Sequence, residues 1–289
     1  MQERLALYAR LIRLDKPIGI YLLLWPALWA LVIAAQGLPD LDILAVFVAG
    51  VVLMRSAGCA INDFADRDID PHVARTRDRP LARKALHPRE AVILAAVLSG
   101  IALLGAMLVL NPMTIVLALA AGALAASYPF MKRLHSLPQV HLGIAFAWSV
   151  PMAFTAITGA WPGTLAWVLF AAVIVWTVAY DTLYAMADRE DDLKLGIKST
   201  AILFASADRL AVGLLQGLVI VLLAGAGVLG GLGPAYHVAL AMGALLFVYQ
   251  QSLIRERDPA RCLRAFLNNQ YFGLVVFLGI ASHYGLSLP

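Results

Sequence analysis

Two short stretches of this chain carry carboxylates at helical spacing. In "NDFADRDID" (62–70), Asn62, Asp66 and Asp70 stand four residues apart, and Asp63 precedes Asp66 by three. If a helix runs on through them, all four share one face. In "YDTLYAMADREDD" (180–192), Asp181, Asp188 and Asp192 are separated by seven and then four residues, with Tyr184 and Ala185 between them, which is again one face. Any single aspartate here is equally well a solvated charge balancing a nearby arginine. The sets are not so easily explained, because like charges at this spacing repel. Hard divalent cations take carboxylate oxygens, and Mg²⁺ is typically held by one or two carboxylates together with substrate phosphates. Two aspartate-rich faces meeting across a cavity therefore suit Mg²⁺ and a diphosphate.

Basic residues follow the first set. "PHVARTRDRPLARK" (71–84) supplies Arg75, Arg77, Arg79, Arg83 and Lys84, and guanidiniums donate paired hydrogen bonds to phosphate oxygens. Membrane topology alone accounts for most of them. Arg79, held by Pro80, is kept as the phosphate contact. Lys132 and Arg133 follow "SYPFM", and either the same phosphate or topology alone explains them. Arg55 lies inside an apolar run, where an arginine costs about 2.5–3.5 kcal/mol on insertion scales and usually faces a bundle interior. It stands two turns before Asn62 on the same face, as a cavity cation or as a buried partner of Asp63.

The elements that must position these residues are membrane helices. The 289 residues are 62% hydrophobic and only 14% charged, against about 25% charged in a soluble domain. Apolar runs fall at roughly 17–35, 41–61, 91–110, 113–130, 138–158, 163–183, 210–232, 235–254 and 266–287, each near the ~20 residues that span a bilayer. They lack the alternation of a barrel, so the expected fold is all-α, a polytopic protein of nine transmembrane helices. Of 22 Lys and Arg residues, 21 lie on one side of that topology, all but Arg55. The positive-inside rule places that side, with the N-terminus, in the cytoplasm and the C-terminus outside. The N-terminal stretch lacks a short apolar core with a small-residue cleavage site, so no cleaved signal peptide is expected. Cys59 and Cys262 sit in contexts too different for a disulfide, and the histidines show no zinc spacing. The whole of 1–289 reads as one integral-membrane domain, with motif loops at about 63–90 and 184–209.

At these residues the chain resembles the UbiA-type intramembrane prenyltransferase superfamily. Its NDxxDxxxD signature is matched by Asn62, Asp63, Asp66 and Asp70, and its second aspartate pattern by Asp181, Tyr184, Ala185, Asp188 and Asp192. "RLDKPIGIYLLLWP" (13–26), "RTRDRPL" (75–81), "YPFMKR" (128–133), "LPQVHLGIAFAWSVPMAF" (137–154), "GIKSTAILF" (196–204) and "NNQYFGLVVFLG" (268–279) resemble one branch of it, the proteobacterial 4-hydroxybenzoate polyprenyltransferases of ubiquinone synthesis. The resemblance implies nine helices around a central cavity open to lipid, in a bacterial inner membrane. It implies Mg²⁺ and a polyprenyl diphosphate held between the motifs, by Asp63, Asp66 and Asp70 with Asn62 on one side and Asp181, Asp188 and Asp192 on the other. Lys132 and Arg79 would grip the phosphates. Arg55 is the expected dock for the carboxylate of 4-hydroxybenzoate, with Lys16 and Arg13 behind it.

Joining a prenyl group to an aromatic ring requires the allylic C–O bond to ionise. Cations must neutralise the leaving diphosphate, and the allylic cation must form away from water. Asp66 and Asp188 are expected to act in that step and Asp181 to steer the phenol. Tyr184 or Tyr128 would orient the ring or a phosphate, unless they are interfacial anchors. No protein partner and no nucleic acid are called for. Two alternatives stay open: another aromatic acceptor, or a cation- or proton-coupled transporter, since membrane carboxylates can relay ions.

Overall fold

A computed structural model describes residues 2–73, 75–134 and 136–285; the side chains of Lys132 and Arg133 lie outside the described set. Among the described residues the regular elements are helices only: α1 (Gln2–Leu11), α2 (Ile18–Ala35), α3 (Leu41–Asp66), α4 (Pro88–Val109), α5 (Pro112–Leu134), α6 (Pro138–Ala147), α7 (Ser149–Thr158), α8 (Thr164–Leu195), α9 (Thr200–Phe204), α10 (Asp208–Leu229), α11 (Pro234–Leu253) and α12 (Pro259–His283). Among the described residues nine segments are long and apolar enough to cross a membrane. The all-α, nine-span reading holds.

Local chemistry sets the boundaries. α4 opens on a reciprocal cap, in which His87 accepts from the backbone and Glu90 accepts the His87 N–H, with Pro88 at the first position. α8 stops at Gly196, whose φ of +67° suits glycine. The fifth span departs from the expected single helix of 138–158. It is two helices meeting at Trp148, because Pro151 has no N–H to offer the Ala147 carbonyl and its ring crowds that carbonyl.

The outward faces are oily. Ile93, Val97, Ile101, Leu104 and Leu108 form an exposed stripe along α4, which in water would be a defect and in lipid is the expected surface. Inside, α8 packs on α6, α7, α10 and α12, and α2 on α7 and α12. Trp29, Trp176 and Phe272 meet at the centre, with ring centroids 5.2–6.4 Å apart. The Trp29 indole N–H donates to the Gly273 carbonyl.

The two longest helices, α8 and α3, carry the carboxylates at their C-terminal ends. α8 has 32 residues, about 48 Å at 1.5 Å per residue, against a hydrocarbon core of ~30 Å. The excess is about three turns, and the charges of α8, all from Asp181 onward, put it at the C-terminal end; Tyr184, Asp188 and Asp192 are thus helical rather than in the loop expected from residue 184 onward. α3 ends at Asp66, so Asp70 does not continue its helical face. Asp70 opens a 3₁₀ turn, Asp70–His72, and the bend swings it back toward the helix end.

Candidate active site

A cavity of about 1220 Å³ opens between α2, α3, α4, α5, the α6–α7 pair, α8 and α12. α3 lines it from Val46 to Asp63, about 26 Å along the helix, so it reaches from deep in the membrane to the charged end. Phe47, Val51, Leu103, Ala106 and Met152 form its apolar part; Asn62, Asp63, Arg75, Arg79, Asp181 and Tyr184 form its polar part.

At the polar part each carboxylate set is held by guanidiniums. Asp63 is fully buried. Arg13 Nη2 donates to its Oδ1 at 2.6 Å, and Arg79 Nη1 lies 3.1 Å from the same oxygen. Oδ2 of Asp63 is buried and accepts no hydrogen bond. Arg79 also donates to both oxygens of Asp70, at 3.2 and 2.9 Å, and Asn62 donates to Asp66. Burial raises the Asp70 carboxyl above the usual carboxylate range, and Arg79 only partly offsets this.

Arg75 reaches across to the second set. Its Nε and Nη2 donate to Asp188 Oδ1 and Oδ2 at 2.9 and 2.5 Å, and its guanidinium lies 4.4 Å over the Tyr184 ring. Burial alone would lower the Arg75 pKa, but Tyr184 and the two bonds to Asp188 outweigh it and hold it above the ordinary arginine value. The loop after the first motif thus closes onto the second, with one arginine fastened to each.

Deeper in the cavity stand Arg55, Tyr128, Tyr180 and Asp181. Arg55 is not a partner of Asp63. Its guanidinium lies 5.7 Å from the Phe146 ring centroid, and its buried Nε makes no hydrogen bond. The room for it comes from Gly19 in the first turn of α2, where a Cβ would fall 2.1 Å from Arg55 Nε. Tyr128 stacks on His141, whose Nε2 contacts Ser127 Oγ and the Leu124 carbonyl.

Of the sequence-chosen residues, the cavity gathers Arg55, Asn62, Asp63, Arg79, Tyr128, Asp181 and Tyr184 on its walls. Asp70 and Asp188 reach it through Arg79 and Arg75. Asp66 sits behind Asn62, and Asp192 is a turn beyond Asp188 and off the wall. The Lys132 side chain lies outside the described residues. Among the described residues no three Asp, Glu, His or Cys side chains converge as a metal site. Sequence reasoning set Arg75 aside in favour of Arg79; residues 75–84 form turns rather than a helix, so spacing offered no sign of what either arginine meets. It also missed Gly19, whose role depends on which side chain crosses above it.

Comparison with known proteins fits this geometry. The model of the UbiA prenyltransferase family matches residues 23–277. A 4-hydroxybenzoate octaprenyltransferase of Saccharophagus degradans is 58% identical over 97% of this chain and 93% of its own length. That of Alkalilimnicola ehrlichii is 55% identical over 97% and 95%. Among solved structures, an apo UbiA homologue from Aeropyrum pernix is 30% identical with a TM-score of 0.80, over 91% of this chain and 97% of that one. A UbiA homologue from Archaeoglobus fulgidus bound to GPP and Mg²⁺ has a TM-score of 0.73 over 97% and 99%; at 20% identity it speaks for the fold.

Proposed function

The chain belongs to the UbiA prenyltransferase family, and from that premise we propose that it joins a polyprenyl group to the ring carbon ortho to the hydroxyl of 4-hydroxybenzoate, releasing diphosphate, in ubiquinone biosynthesis. The relatives that match nearly its whole length carry that activity in their names. One observation carries the reading furthest: Arg75 and Arg79, from one loop, fasten both carboxylate sets at the polar end of a large apolar cavity.

The donor set suits Mg²⁺. Its oxygens are hard carboxylate oxygens, and Asp63 Oδ2 is buried without a hydrogen bond. Asp63, Asp66 and Asp70 with Asn62 would hold the ion on one side; Asp181, Asp188 and Asp192 would hold it on the other. The Archaeoglobus homologue of the same fold is bound to GPP and Mg²⁺. When bound, the ion supplies Lewis-acid neutralisation of the departing diphosphate.

The chain's own groups do the rest. Arg75 and Arg79 hold diphosphate oxygens, a role the family resemblance extends to Lys132, as the negative charge of the broken allylic C–O bond settles there. The apolar walls exclude water from the allylic cation, and the prenyl tail runs toward lipid. Arg55 pairs with the acceptor's carboxylate. Tyr128 and Tyr184 bracket the ring, and Asp181 takes the proton lost as the new C–C bond forms and the ring regains aromaticity. The whole chain acts as one domain of the inner membrane, with N-terminus and motif loops cytoplasmic and C-terminus periplasmic.

The test uses membranes containing the protein, radiolabelled 4-hydroxybenzoate and a polyprenyl diphosphate, with and without Mg²⁺. Labelled lipid formed only with Mg²⁺, and lost in Asp66→Asn and Asp188→Asn, is the expected result. Activity with a different aromatic acceptor alone would move the substrate. No transfer to any acceptor by folded protein would refute the enzyme reading.

A further inference from the structure

The overhang of α8 is held from two sides by neighbouring residues. Asp188 faces the motif loop and Arg75. Arg189, ~100° further round the helix, turns the other way, and its Nη1 lies 2.9 Å from Asp208 Oδ2. Asp208 is the first residue of α10 and is 0% exposed. Arg257, in the turn between α11 and α12, meets the same carboxylate through Nη2 at 2.8 Å and Nε at 2.9 Å, and donates to the Ser206 carbonyl at 2.7 Å. Arg257 caps the short 3₁₀ turn Ile254–Glu256 with a left-handed φ of +57°, its N–H donating to the Ile254 carbonyl. None of these three residues lines the cavity. A fully buried aspartate with two guanidiniums from different elements is costly to break, and the solubility of a loop does not require it.

We propose that Asp208 is a positioning residue for prenyl transfer: through Arg189 it fixes the rotation of the α8 overhang about its own axis, with Arg257 anchoring it to the α11–α12 turn. The geometry makes rotation the sensitive coordinate. A carboxylate lies ~5–6 Å from its helix axis, so a turn of about 20° moves it by about 2 Å. Site constellations tolerate about 0.5 Å. Lipid cannot supply this restraint beyond the bilayer surface, and the last turn of any helix has unsatisfied carbonyls and frays. Asp188 therefore points at the cavity mouth because Arg189 is pinned behind it.

The inference rests on the proposed function, and its test separates the two. Arg189→Gln, Arg189→Lys, Arg257→Gln and Asp208→Asn are compared with the unmodified chain in lipid nanodiscs, by hydrogen–deuterium exchange and by prenyl-transfer kinetics. Arg189→Gln should speed exchange of amides 188–195 and raise KM for polyprenyl diphosphate about tenfold, leaving KM for 4-hydroxybenzoate within about twofold. Arg189→Lys should restore both, and Asp208→Asn, if it folds, should match Arg189→Gln. Arg257→Gln, which leaves the α8 link intact, should have the smaller effect. Unchanged exchange and KM in folded Arg189→Gln would overturn the proposal, as would a matched rise in KM for both substrates. If the unmodified chain transfers nothing to 4-hydroxybenzoate, the functional reading fails, while the exchange data still decide whether Arg189 holds α8.

Discussion

Gly19→Ala tests the Arg55 assignment without touching any charged residue. The added Cβ would lie 2.1 Å from Arg55 Nε, 2.5 Å from Nη2 and 2.6 Å from Cζ. Comfortable heavy-atom contacts are about 3.5–4.0 Å, so the guanidinium must retreat by more than about 1 Å. It is the far end of a flexible side chain beside an open cavity, so the retreat is cheap for folding. Exchanging glycine for alanine in a helix is itself favourable by about 0.8–1 kcal/mol. Stability should hold or rise slightly. Catalysis should not, because a misplacement of about 1 Å can cost on the order of a hundredfold. The assay is prenyl transfer with varied radiolabelled 4-hydroxybenzoate at saturating polyprenyl diphosphate, beside a thermal unfolding curve. We expect kcat/KM for 4-hydroxybenzoate to fall by roughly two orders of magnitude, with KM for the diphosphate unchanged and the unfolding temperature unchanged or slightly raised. A variant with unaltered kcat/KM for 4-hydroxybenzoate would show that Arg55 does not dock the acceptor where it stands.

Other outcomes follow from the same geometry. Arg55→Lys keeps the charge but loses the planar fork, and should raise KM for 4-hydroxybenzoate about tenfold while leaving diphosphate binding alone, as read from initial rates. Arg75→Gln removes the two bonds to Asp188 and should weaken polyprenyl diphosphate binding by one to two orders of magnitude, on the scale of about 1.5–3 kcal/mol for hydrogen bonds to charged groups; unchanged affinity in a binding titration would refute it. Asp181→Asn should lower kcat by about 10²–10⁴, the range of a general base, as read from single-turnover rates at saturating substrates and Mg²⁺. A reporter fused at the C-terminus should be active only if the reporter works in the periplasm, and the opposite result would invert the topology.

The chain alone determined the solvent it lives in and the chemistry at its polar end. Nine oily runs admit few spanning solutions, because lipid leaves every backbone group to be satisfied within the segment, and helical spacing placed Asn62, Asp63 and Asp66 on one face before any contact was known. Sequence also named Arg55, since a charge within a span is costly enough to demand a reason. The pairings were decided only in three dimensions. That Arg75 crosses to Asp188, 113 residues away, that Arg13 rather than Arg55 meets Asp63, that Gly19 makes room for Arg55, and that Asp208 pins α8 from behind all depend on which helices pack together. Local spacing says which residues share a face. It does not say what that face meets, because the meeting is set by packing between segments far apart in the chain, and a guanidinium finds a carboxylate only after those segments are in place.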